Sequence, residues 1–207
     1  MKYKLTEEKM QTPFGELVRI EALRDFSDVK KGEMGGFILS EKNLDQSGNA
    51  WVYGDARVYG NAQVYGDAWV YEDAWVYGDA QVYGDALVSG DARVYGDARV
   101  SGGARVYGDA WVYGDAWVYG DARVYGDAQV SGGAQVWFDT SDVKYLCVGP
   151  FGNTFRYITI TKSEVRAGCF SGNLGRFKIA VMDKYGEDFG TYSDAITICE
   201  SFMNKTT

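Results

Sequence analysis

Between residues 48 and 137 a six-residue phrase recurs fifteen times without a gap. Alanine stands at every sixth position from Ala50 to Ala134, and valine at every sixth from Val52 to Val136. Within a unit the order is Ala-x-Val-Tyr followed by Gly-Asp. Residues two apart in a strand share a face, so Ala and Val point one way while x and Tyr point the other. Gly-Asp supplies a corner, because glycine tolerates positive φ and aspartate bonds its own neighbouring backbone. A helix of about 3.6 residues per turn would not keep the valines on one face. The β-branched valines and frequent glycines oppose it as well. A meander of four-residue strands could not build a two-layer core. Coiling the chain solves the problem: each unit becomes one side of a prism, and the Ala and Val of successive coils stack inside.

The phrase resembles the hexapeptide repeat of left-handed parallel β-helices, in which an aliphatic residue recurs every six and a small one follows four positions later. Val52 with Ala56 and Val58 with Ala62 begin a match that continues to Val130 with Ala134. The resemblance implies a triangular prism with three units per coil, hence five coils rising roughly 24 Å at about 4.8 Å per layer. The nine-residue calcium-binding repeat fits less well, since its glycine-rich period is absent. The expected fold is mainly β: a left-handed parallel β-helix of about five coils with two additions. An N-terminal cap and opening coil occupy 1–47, the repeat 48–137, and a small α+β domain 138–207.

Outside the repeat the pattern is mixed. Leu17, Ile20, Ala22 and Leu23 suggest a strand after the Thr12-Pro13-Phe14-Gly15 turn, and the polar run 25–32 reads as a loop. Gly35-Gly36-Phe37-Ile38 leads to Asn43-Leu44, and Ile38 and Leu44 lie six apart. This predicts an imperfect opening coil that covers an otherwise open solenoid end. After the repeat, strands are predicted over 145–150, 156–161 and 164–170. A helix is predicted from Leu174 to Met182 with Phe177, Ala180 and Val181 on one face, and another over 193–203.

Charge and cysteines bound the setting. Of the net charge of −8, the repeat carries most, with twelve acids against five bases. A negative shaft repels phosphates, so DNA or RNA wrapping is not expected. Cys147, Cys169 and Cys199 all follow the repeat, and an odd count suits free thiols in a reducing compartment. No apolar run resembles a secretory signal or a membrane span, so a soluble, cytoplasmic protein is expected.

Taking every third unit resolves three outer faces. The first carries Trp51, Trp69, Leu87, Arg105 and Arg123 at position x. The second carries Arg57, Trp75, Arg93, Trp111 and Gln129, and the third Gln63, Gln81, Arg99, Trp117 and Gln135. Outward Trp51, Trp69, Trp75, Trp111 and Trp117 suggest an interface between copies of the chain. The similar β-helices are commonly trimers, which makes a homotrimer the favoured assembly. Stacked Tyr and Trp columns also stabilise neighbouring coils, so the two roles are compatible. Corner columns such as Asp79, Asp97 and Asp115 could recruit a cation. Turn chemistry explains them already, and Asn61 and Gly103 take the same place elsewhere, so no metal is expected.

The phrases Ala22-Leu23-Arg24-Asp25-Phe26, Asp28-Val29-Lys30-Lys31-Gly32, Gly35-Gly36-Phe37-Ile38 and Asn43-Leu44 resemble those of uncharacterised hexapeptide-repeat proteins of phages and prophages. Trp51-Val52-Tyr53, Val148-Gly149-Pro150 and Cys169-Phe170-Ser171-Gly172-Asn173-Leu174 add to that similarity. The resemblance covers the whole chain. It implies a phage origin, an infected bacterial host and an accessory role, and transfers no catalytic residue.

Three function classes remain. Hexapeptide β-helix acyltransferases use a histidine base, and zinc enzymes of similar fold use three, yet this chain has no histidine. No loop interrupts the units to form a substrate pocket, and Cys147 or Cys169 as a nucleophile would lack the usual His partner. No catalytic residue or cofactor is therefore expected. The favoured class is a non-catalytic binding protein that sequesters a host immune nucleotide or a defence protein. Arg156, Tyr157, Lys162, Arg166, Phe170, Arg176 and Lys178 are the residues expected to contact phosphate and base. The alternative is a structural, virion-associated spacer or adhesin segment.

Overall fold

The computed structural model describes residues 1–126, 128–136, 146–151, 156–160, 165–167, 170–185, 196 and 200. Strands β1 (Tyr3–Thr12) and β2 (Gly15–Ala22) form an antiparallel hairpin, and β3 (Met34–Ile38) pairs antiparallel with β2. Fifteen two-residue strands follow at six-residue intervals, from β4 (Trp51–Val52) to β18 (Gln135–Val136). They sort into three parallel sheets whose membership is that of the three faces. The second face is extended by the hairpin and β3 into one sheet of eight strands.

Phe37 and Ile38 of β3 pair in parallel with Arg57 and Val58, while Leu44 bridges Val64. The spacing of Ile38 and Leu44 thus makes the expected opening coil, and the solenoid completes about six turns. Successive coils are joined by main-chain hydrogen bonds, as where Trp75 N donates to Ala92 O and Tyr77 N to Val94 O, each at 2.9 Å. Every repeat Ala and Val from Ala50 to Val136 is buried. Each buried valine contributes on the order of 1.5–3 kcal/mol, so the core is a long sum of equal terms.

At the corners glycine is required twice over. Gly78 has φ 72°, and a Cβ there would come within 2.9 Å of Gly96 N in the next coil. Glu72 holds the same left-handed conformation at φ 62° without being glycine. Its carboxylate accepts a hydrogen bond from Gly90 N at 2.6 Å, one coil on, which offsets part of that strain.

The open end of the core is closed by side chains that imitate a missing coil. Asn43 is buried, with Nδ2 donating to Gly60 O at 3.1 Å and Ala62 O at 2.8 Å. Buried Lys2 donates from Nζ to Ala50 O at 2.7 Å and Ser47 O at 3.1 Å, with Phe26 beneath it at 5.3 Å. Trp51, expected on the outer surface, is fully buried instead. Tyr3 and Phe26 meet its ring edge to face at 6.1 and 5.3 Å, because the first strand and the 25–32 loop fold over the first face. That loop is therefore not simply polar, since it buries Phe26 and Val29. Gly35 and Gly36 permit the close fit: a Cβ on Gly35 would lie 2.7 Å from Trp51 Cζ2, and one on Gly36 would lie 2.6 Å from Ala56 O.

Beyond the repeat, β19 (Leu146–Phe151), β20 (Arg156–Ile160), β21 (Val165–Ala167) and β22 (Phe170–Gly172) form an antiparallel sheet in chain order. The pairing of β19 with β20 shifts register between Val148 and Phe151, around Pro150, which has no N–H to donate. The run 164–170, expected as one strand, belongs to two that pair with each other. Helix α1 (Leu174–Tyr185) buries Phe177 and Val181 as the sequence periodicity requires. The second helix expected over 193–203 lies outside the described residues except for Ile196 and Glu200.

Two outcomes check this account of the cap. Gly36→Val should cost roughly 1–3 kcal/mol or more in urea unfolding, because backbone rather than a movable side chain blocks the new atoms. Burial lowers the Lys2 ammonium from its ordinary 10.5 to about 8. Between those values the unfolded chain binds the proton that the folded one has lost, so stability should rise with pH above about 8. Burial raises Tyr3 and Tyr59, which opposes the trend above pH 10. The rise from pH 8 to 10, measured as the urea midpoint, should disappear in Lys2→Met.

Candidate functional site

The second face is unlike the others because its x positions alternate. Arg57 lies over Trp75 at 4.9 Å, Arg93 lies 5.5 Å from Trp75 and 4.9 Å from Trp111, all in register across adjacent coils. Two residues along, Tyr59, Tyr77, Tyr95 and Tyr113 stack nearly parallel with centroids 5.0, 4.9 and 5.1 Å apart. The two rows touch, with Tyr59 edge-on to Trp75 and Tyr95 edge-on to Trp111. Phe14, at the tip of the β1–β2 hairpin, stacks on Tyr59 at 5.4 Å and takes the place of a tyrosine from a further coil. Leu17, Phe37 and Tyr59 form a small core beneath the hairpin, outside the prism.

The electrostatics favour donors over bases. Burial raises Tyr59 to about 12, and it raises Tyr77 and Tyr95 in the same direction against the pull of Arg93. These phenols stay protonated at neutral pH, so the row offers O–H groups and guanidinium N–H groups. Two such donors have no protein partner although buried, Tyr59 Oη and Arg57 Nε. An unmet buried donor costs about 1–3 kcal/mol, which an acceptor from outside would offset. A cavity of about 230 Å³ lies beside them, between the hairpin tip and the face.

Among the described residues the other tryptophans do not join this surface. Trp69 packs against the core beside the buried Trp51 on the first face. Trp117 stands on the third face between Arg99 and Gln135, tilted on Tyr119 at 4.8 Å, with Nε1 donating to Ser101 Oγ at 3.3 Å. Of the five tryptophans expected at an interface, only Trp75 and Trp111 share an outward face in the same row. The cavity itself was not legible in the sequence, because it needs the hairpin to fold back over the repeat.

The second expected group is only partly described. Arg156 and Tyr157 belong to β20 and Arg166 to its neighbour β21, while Lys162 lies outside the described residues. Phe170 packs on Phe177 at 5.3 Å, so it serves the small core between β22 and α1. Arg176 is exposed, and Lys178 is paired with Glu200. Among the described residues no group of three or more His, Cys, Asp or Glu could hold a metal ion, and no helix is long and apolar enough to cross a membrane.

The repeat is similar to the YdcK β-solenoid repeat, whose family model matches residues 62–78, 80–94, 92–107, 104–120 and 116–132. These matches all fall within the fifteen units. No curated protein matches the chain.

The alternation makes a measurable claim. A double-mutant cycle between Arg93→Ala and Trp111→Ala should give a coupling of about 0.5–1 kcal/mol in unfolding free energy. The same cycle between Arg105 and Trp111, which lie on different faces, should give none.

Proposed function

We propose that this repeat β-helix protein acts by binding rather than by catalysis, as a phage accessory protein that sequesters a host immune nucleotide or a defence protein. It does so as a homo-oligomer, with a trimer favoured. The observation that carries the reading is the row Arg57–Trp75–Arg93–Trp111 beside four stacked tyrosines. Arginine, tryptophan and tyrosine are the residues in which interface binding energy concentrates. A guanidinium stacked on a ring still presents its N–H edge to a phosphate or carboxylate. The absence of histidine from the chain supports the non-catalytic reading, since enzymes with a similar repeat use one as base.

A second reading, a stiff structural spacer, is favoured by one observation. The tyrosine rings stack within 4° of parallel, so their faces are already occupied by one another. Such a row stiffens the shaft whether or not anything docks on it.

Calorimetric titration with cyclic and adenosine-derived immune nucleotides separates the two. Saturable binding that weakens at least tenfold in Arg93→Ala supports sequestration. A flat panel, together with no defence protein retained from infected cells, leaves the spacer. Light scattering should give a multiple of 22.9 kDa, and a mass of 22.9 kDa at micromolar concentration overturns the oligomer.

A further inference from the structure

The cavity between the hairpin tip and the second face is a place where this protein's charge pattern reverses. It is lined by Met10, Gln11, Thr12, Pro13, Phe14, Arg57, Tyr59 and Trp75. None of these is acidic, in a chain of net charge −8. The walls are rings and aliphatic groups, and the one formal charge is the Arg57 guanidinium. The hairpin's own polar groups are committed locally. Thr12 Oγ1 donates to Gly15 O at 2.7 Å and accepts from Phe14 N at 3.2 Å, and Gln11 Nε2 donates to Glu16 at 2.6 Å. Tyr59, only 4% exposed, and Arg57 are different, for each has a buried donor atom without a protein partner.

We propose that this cavity is a binding site for a small planar aromatic acid, its ring held among Phe14, Tyr59 and Trp75 and its anionic oxygen accepting from Arg57 and Tyr59. Size and chemistry agree on that class. A dry cavity of about 150 Å³ is enough for benzene, so about 230 Å³ takes a ring with a carboxylate or phosphate attached. It is smaller than the usual pocket for a drug-sized molecule, about 300–1,000 Å³, which argues against a large ligand. Apolar walls with a few convergent polar groups are the general form of such sites. Arg57 Nε can only donate and Tyr59 Oη can donate, so an occupant that opens the closed fit around these two atoms gains by bringing an acceptor, and the cation selects an anionic one. The site shares Arg57, Tyr59 and Trp75 with the upper end of the row, but Arg93 and Trp111 do not line it, so its test does not depend on a partner docked lower on the face.

Saturation-transfer NMR on the full chain, with benzoate, indole-3-acetate and phenyl phosphate as probes, tests the assignment. The carboxylate and phosphate arms distinguish the two sources of the anionic oxygen, and submillimolar binding in either arm supports the site. Tyr59→Phe and Arg57→Gln should each weaken the bound probe at least fivefold. Tyr59→Phe should also leave the melting temperature unchanged or raise it, because it removes a buried hydroxyl that has no partner. No binding by any probe overturns the proposal, as does binding that both variants leave intact. A melting temperature lowered by several degrees in Tyr59→Phe would do the same, since the hydroxyl would then already be satisfied by water.

Discussion

The constraint on which everything else rests is the hydrogen-bonded register between coils, which sets each residue directly against the one eighteen positions away. A fold that stacks like on like can use only residues that tolerate their own company. Valine over valine and glycine over glycine satisfy this at once, the first by packing and the second because the corners approach too closely for a Cβ. Tyrosine over tyrosine also works, because offset rings attract. Like charges repel, and the chain separates them on the second face although aspartate still follows aspartate at the corners, as in Asp79, Asp97 and Asp115. Arginine alternates with tryptophan on the second face. At two corners an asparagine begins the acidic column, Asn49 donating to Asp67 and Asn61 to Asp79. In the third column Arg19 pairs with Asp55 at 3.0 Å. Arg105 over Arg123 is the one like-charged neighbour pair among the described x positions.

Register also makes the ends the difficult part of the molecule. An interior coil finds its partners in the coils above and below, but the first has partners on one side only. The chain supplies substitutes that do not repeat: β3 as a rung of the second face, Asn43 as a donor pair for the third, Lys2 as a donor pair for the first. Burying an ammonium for this purpose is costly, and the low proton affinity of Lys2 is the record of that cost. In return it meets the carbonyl of the buried Ala50, which has no coil beyond it to supply a donor.

This division explains what was legible in the sequence. The faces, the core and the corners follow from a period read fifteen times over, so an error at one unit is corrected by the others. The opening coil was visible in Ile38 and Leu44 because it keeps the same step of six. Strand β1 was not, since of its ten residues only Tyr3 is buried and the run is rich in charge. Trp51 shows the limit most plainly. Its place in the period is that of Trp69, and nothing local says that Tyr3 and Phe26 will cover one and not the other. The run 164–170 fails for a related reason, because it has no repeat to mark where the chain reverses.

The same logic bears on where function resides. A periodic shaft presents nearly the same surface at every coil, so a cavity that encloses a single ring has to come from a break in the period. The hairpin is such a break, and it falls on the second face, where Arg57, Tyr59 and Trp75 already stand together. Phe14 continues the tyrosine stack, and the cavity lies between the hairpin tip and the face. Further down, the alternating row keeps a constant chemistry over several coils, as an extended partner requires. A concave end and a flat shaft are thus two different recognition surfaces made from one row of residues, and only the concave end depends on the hairpin.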